Sequence, residues 1–176
     1  DAVRYITNLD DLKNTVSYTV YADTRGAWYS EDERLNSTHE MSVAYSTEDT
    51  NQQFAFLKSA NTGKYYLYSV AKGKFVKGTE KNDKGNAYTA LTETPEEFIS
   101  FLNGTNAEGA FLWVVALNGN KHIGVSTGFS PDVITHYNAT GDQGNKLRLE
   151  VAATFDPADA LAKIDAVEAA AAKVEL

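Results

Sequence analysis

The chain repeats itself at an interval of about 47 residues, and no other feature of the sequence limits its fold as tightly. Tyr18-Thr19-Val20-Tyr21 aligns without gaps to Tyr65-Tyr66-Leu67-Tyr68, and the same offset carries Gly26 onto Gly73 and Trp28 onto Phe75. A third copy matches Tyr65 to Phe111, Gly73 to Gly119 and Phe75 to Ile123 with offsets of 46 to 48. The run "QQFAFL" at 52–57 is answered by "EEFISFL" at 96–102 and "NKLRLEV" at 145–151. Phe54, Phe98 and Leu147 then occupy one recurring apolar position, with length differences confined to the loops. Each copy is made of β-like runs that stop at turn residues: "SYTVY" at "DTRG", "KYYLYSV" at "AKGK", "AFLWVVAL" at "NGN". Asn118-Gly119 is the strongest hairpin signal among them.

Three four-stranded copies fit either propeller blades or the lobes of a β-trefoil. Propellers typically need about four to eight blades, whereas three lobes close a barrel and remove most open sheet edges. The predicted fold class is therefore all-β, a β-trefoil over residues 1–155. Residues 94–98, "TPEEF", are expected to make at most one helical turn. Residues 156–176 differ: Asp156 reads as an N-cap and Pro157 as a first helical position. Leu161, Ile164, Val167, Ala171 and Val174 share one face of a helix predicted over about 157–174. That helix reads equally as an element docked on its own domain or as a linker cut at a boundary.

The charge balance narrows the partners. With 24 acidic and 16 basic residues the chain carries a net charge of −8, which argues against nucleic acid and anionic membrane surfaces. The lack of cysteine removes thiol chemistry and disulfides. No apolar run approaches the roughly 18 residues of a membrane span. The opening "DAVRYITNLDDL" lacks the pattern of a signal peptide and reads as a domain beginning at once, as in a mature or excised fragment.

Between residue 5 and about residue 155 the sequence resembles the ricin-type β-trefoil domains, above all divergent lectin-like modules on secreted or surface proteins of gut bacteria. The carriers are "YITNLDDL", "QQFAFLKSANTGKYYLYSVAKGKFV" and "GVSTGFSPDVITHYNATGDQGNKLRL". The resemblance implies a non-catalytic carbohydrate-binding module without cofactor or metal. Its partners would be a glycan or glycoconjugate and other domains of a larger protein, outside the cell or at its surface. In such lobes a sugar packs on an aromatic ring. A carboxylate after the first strand and an Asn or Gln before the last strand take its hydroxyls. Carried over, the first lobe offers Asp23, Tyr45, Asn51 and Gln52, and the third offers Tyr137 and Asn145. The second, with Ser69, Glu96 and Glu97 at those places, is expected to bind no sugar.

Plainer roles compete for the same residues. Trp28, Phe75 and Ile123 align and are expected in the core, as are Phe54 and Phe98. Tyr45 and Tyr137 suit packing as well as stacking, and Asp23 in "DTRG" suits a turn. "GVSTG" at 124–128 has the Gly-x-Ser-x-Gly form, but a nucleophile elbow needs a helix after its serine, and Pro131 opens another strand-like run. His39-Glu40 lacks the second histidine of a zinc motif, since Val43 stands there. The chief alternative is a protein-interaction trefoil, an inhibitor or scaffold, presenting "YSEDERLNSTHE" at 29–40 or "GTEKNDKGN" at 78–86.

Overall fold

Six strands close into a ring, each paired antiparallel to the next. They are β1 (Val16–Ala22), β4 (Phe54–Lys58), β5 (Lys64–Ser69), β8 (Glu97–Asn106), β9 (Gly109–Ala116) and β12 (Leu147–Thr154). β1 pairs with β4, β4 with β5, β5 with β8, β8 with β9, β9 with β12, and β12 with β1. The remaining six strands form three hairpins: β2 (Gly26–Glu31) with β3 (Arg34–Ser37), β6 (Lys74–Lys81) with β7 (Ala87–Thr92), and β10 (His122–Ser126) with β11 (Val133–Tyr137). Each lobe thus contributes two barrel strands and one hairpin, as the repeat predicts. This computed structural model describes residues 5–81, 87–106, 109–116, 122–127, 133–137 and 143–174. It describes their side chains except at 23, 79–81, 87, 99–106, 109–116, 122, 133, 136–137 and 143. The Asn118-Gly119 turn lies outside the described residues.

The threefold relation shows in the register. Tyr18 faces Phe54, Tyr65 faces Phe98, and Leu112 faces Leu147, so the three recurring apolar residues hold one barrel level. Phe54, Phe98 and Leu147 are all fully buried. Trp28 meets Phe54 edge-on, with ring centroids 5.8 Å apart. Gly26 and Gly73, aligned by the repeat, both adopt positive φ, +86° and +62°, a conformation that costs glycine least. A side chain at Gly26 would also run into the Thr38 hydroxyl and the His39 ring.

One part of the repeat alignment is corrected by a single residue. Tyr21 faces Ala27, Tyr68 faces Phe75, and Val115 faces His122. The residue after each partner, Trp28, Val76 and Ile123, is fully buried in the main core. Val76, not Phe75, is therefore the counterpart of Trp28, and Leu112, not Phe111, that of Tyr65. Phe75 is buried, but on the opposite face of the sheet, where a one-residue slip places it.

That opposite face is covered by α1 (Ala158–Val174). Ala160 and Ile164 are buried against Ala55, Leu57, Tyr66, Tyr68 and Phe75, with Phe155 and Leu161 at the margin. Asp156 Oδ1 accepts the Ala158 N–H at 3.1 Å, the expected cap. Lys163 bonds Glu93 at 2.9 Å, and Glu168 accepts from the Ala60 N–H and the Tyr66 hydroxyl. The helix is docked, with its buried residues in the first half; towards its end Ala171 is exposed and Val174 is 87% exposed. The predicted turn at 94–98 is not helical. Glu97 already begins β8, because Phe98 must reach its barrel level opposite Tyr65. Among the described residues no helix is long and apolar enough to cross a membrane.

Candidate ligand-binding site

The segment linking β3 to β4, residues 38–53, is long for a connection and is pinned from below by two glutamines. Gln52 is fully buried. Its Nε2 donates to the Ala44 carbonyl at 2.9 Å and to Asp49 Oδ2 at 3.0 Å, and its Oε1 accepts the Ser46 N–H at 3.1 Å. The neighbouring Gln53 donates to the Thr47 carbonyl at 2.8 Å and accepts from the Ser17 hydroxyl at 3.5 Å. Asp49 also caps the short turn Thr50–Gln52 through the Asn51 N–H. Gln52 therefore grips the backbone on both sides of Tyr45.

Tyr45 is the consequence. Among the described residues the most exposed large apolar side chains are Val43, Tyr45 and Val174, at 36%, 37% and 87%. The first two stand two residues apart on this segment. The Tyr45 ring leans on Tyr21 with centroids 4.9 Å apart. Its hydroxyl donates to Glu150 Oε1 at 2.5 Å and lies 2.7 Å from Thr19 Oγ1. A phenol has one proton, so with that proton on Glu150 the Thr19 hydroxyl must donate to Tyr45. Burial, and then the Glu150 bond, push the Tyr45 hydroxyl far above the ordinary phenol range, so it stays a donor. The result is an exposed aromatic ring fixed in place, with a carboxylate at its edge.

The other predicted site residues fall differently. Asn51 is partly exposed, and its side chain makes no hydrogen bond among the described residues, so it remains free to meet a ligand. Gln52 is not, since every polar atom of its side chain is engaged inside the loop; that expectation is corrected. Asp23 begins a short turn, Asp23–Arg25, directly after β1, but its side chain lies outside the described residues, as does that of Tyr137 in β11. Asn145 is fully buried in the turn Gln143–Asn145 and packs so close to Gly124 that a side chain there would collide with it. It cannot face solvent and is corrected likewise.

Gln52, Glu96 and Asn145 each stand two residues before the core position of their lobe. Glu96 accepts the Gly78 N–H at 2.9 Å, so in the second lobe too this polar residue ties down a loop. The polar residue ahead of the last strand serves the fold in this chain. Sequence reading missed Thr19, Tyr21 and Glu150. The signal was present in β12, "LRLEV", where Leu147 and Leu149 turn inwards and Arg148 and Glu150 outwards.

Other chemistries find no support in the described geometry. Ser126 ends β10 opposite Val133, and the next described element is the antiparallel strand β11. Among the described residues no group of three or more His, Asp or Glu is placed to hold a metal. A groove of about 280 Å³ is lined by Asp32, Glu33, Arg34 and Tyr88, the Arg34 guanidinium lying 4.9 Å from the Tyr88 ring centre.

Solved structures with the same arrangement of strands exist. The Macrolepiota procera ricin B-like lectin, determined in complex with lactose, aligns with a TM-score of 0.57 at 12% identity, over 78% of this chain and 96% of its own. The Rhizoctonia solani agglutinin aligns with a TM-score of 0.57 at 13% identity, over 78% and 95%. ThreeFoil, a designed threefold-symmetric protein, aligns with a TM-score of 0.56 at 18% identity, over 76% and 97%. The fold is a β-trefoil. No family model matches the sequence, and no curated protein matches it. At these identities the likeness concerns the fold and leaves function to the site itself.

Proposed function

We propose that this trefoil is a non-catalytic glycan-binding module of a larger secreted or surface protein, and that its binding surface is the first lobe around Tyr45. The observation that carries the reading is the exposed Tyr45 ring, immobilised by Tyr21, Thr19, Glu150 and the Gln52 grip on its backbone. The apolar C–H face of a sugar stacks on such a ring. Asn51, six residues on in the same loop, supplies polar groups for hydroxyls. A single shallow contact of this kind is weak, and useful avidity comes from attachment to other domains or from multivalent glycans. The similarity of fold to a ricin B-like lectin and an agglutinin is in keeping with this reading.

A glycan-array screen of the wild-type chain beside Tyr45→Ala and Asp23→Ala tests it. Binding that Tyr45→Ala abolishes is expected. Absence of binding to every glycan, or binding indifferent to Tyr45, refutes the proposal. Inhibition of a protease by the wild-type chain would instead favour a protein-interaction trefoil.

A further inference from the structure

The carboxylate that sorts sugar hydroxyls is expected from the resemblance to be Asp23. The geometry points elsewhere: we infer that Glu150, on the last barrel strand, is the specificity-determining carboxylate of this site, and that the site takes uncharged hexopyranoses and rejects anionic sugars. The inference rests on the glycan-binding reading above and names the chemistry within it.

Glu150 stands directly opposite Thr19 in the β1–β12 ladder, so a rigid element holds it at the Tyr45 edge. Its Oε1 accepts the Tyr45 proton, while Oε2 has no partner among the described residues. The residue is half-buried. Thr19, Tyr45 and Glu150 form a chain of hydrogen bonds that ends on the carboxylate. A ligand stacked on Tyr45 would meet Oε2 as a ready acceptor for one or two hydroxyl protons. Arg148, two residues earlier on the same face, is not presented to a ligand. It is only 8% exposed and its guanidinium lies 5.8 Å from the Tyr5 ring centre. With a net charge of −8 behind it, an acceptor-only carboxylate repels the carboxylate of a sialic or uronic acid.

The test is a titration by nuclear magnetic resonance of the full chain with lactose, galactose, glucose, mannose and glucuronic acid. The proteins compared are the wild type, Glu150→Gln, Tyr45→Phe and Asp23→Asn. Glu150→Gln keeps an oxygen for the Tyr45 proton, so the fold is retained. It exchanges the charged acceptor for an amide, and a loss of about tenfold or more in affinity for the neutral sugar is expected. Discrimination against glucuronic acid should shrink in the same variant. Tyr45→Phe keeps the ring and breaks the bond to Glu150, and should lose less than about threefold, as should Asp23→Asn. If Tyr45→Phe is as damaging as Glu150→Gln, Glu150 acts only by holding Tyr45, and the inference is overturned. If Asp23→Asn abolishes binding and Glu150→Gln does not, the inference fails while the glycan-binding reading stands. If the wild type binds none of the five sugars and no array glycan, both fall together.

Discussion

Replacing Gln52 with alanine examines the link between loop and barrel. The residue is fully buried and makes three hydrogen bonds, to Ala44, Asp49 and Ser46. Each such bond contributes about 0.5–1.5 kcal/mol net, and the lost methylene and amide leave a partial cavity. Ala44 and Ser46 lie on a solvent-facing segment where water can replace part of what is lost. The expected cost is therefore about 2–4 kcal/mol. In a chain of this size that lowers the melting temperature by at least about 4 °C. Urea unfolding followed by the fluorescence of the tryptophans, of which Trp28 is buried in the main core, should show an earlier midpoint with an unchanged slope. Gln52→Glu is the sharper variant. It keeps an acceptor for Ser46, loses both donors, and sets a carboxylate against Asp49 and the Ala44 carbonyl. It should be at least as destabilising as alanine at neutral pH. If either variant costs less than about 0.5 kcal/mol, the reasoning that assigns Gln52 to the fold is refuted.

Further outcomes are expected elsewhere in the molecule. Ile164→Ala should cost about 2–5 kcal/mol by leaving a cavity under α1, whereas Val174→Ala on the exposed end of the same helix should be silent in the same urea titration. Gly26→Ala should destabilise by about 1–3 kcal/mol, because alanine at φ +86° is strained and its methyl meets Thr38; a melting temperature equal to wild type would contradict the turn geometry. Burial, and then the charges of Glu97 and Glu168, push the Tyr66 hydroxyl up to about 12. An acid whose folded value is raised binds more protons folded than unfolded. Stability should thus be intact below about 10 and fall as pH rises towards 12. Phenolate absorbance showing Tyr66→Phe without effect on that alkaline loss would count against it.

The legible part of the fold was whatever all three lobes must share. An inward apolar residue on each last strand recurs as Phe54, Phe98 and Leu147, and a left-handed turn recurs as Gly26 and Gly73, because each lobe faces the same steric demand. The register slip at Phe75 has a physical cause. Helix α1 covers the outer face of β4, β5 and β6, so these strands are apolar on both faces and alternation no longer marks the inward side. The helix itself was visible from Asp156 and its apolar stripe, but not that Ala171 and Val174 would stay in water. Gln52 and Asn145 were misread because a polar residue beside a loop is ordinarily assigned to solvent. Gln52 bonds within its own loop, to the Ala44 carbonyl, the Ser46 N–H and Asp49, and Asn145 is packed against Gly124; neither contact leaves a pattern in sequence. Glu150 was legible as an outward residue of β12 but not as part of this site, because Thr19 and Tyr45 lie in the first lobe and meet it only when the barrel closes.

The most direct measurement is a map of amide chemical shifts as the strongest array glycan is titrated into the wild-type chain. The account predicts shifts concentrated on residues 43–46, on Thr19 and Tyr21 of β1 and on Glu150 of β12, absent in Tyr45→Ala. Shifts gathered instead around Asp32, Arg34 and Tyr88, or surviving unchanged in Tyr45→Ala, would contradict a glycan site centred on Tyr45.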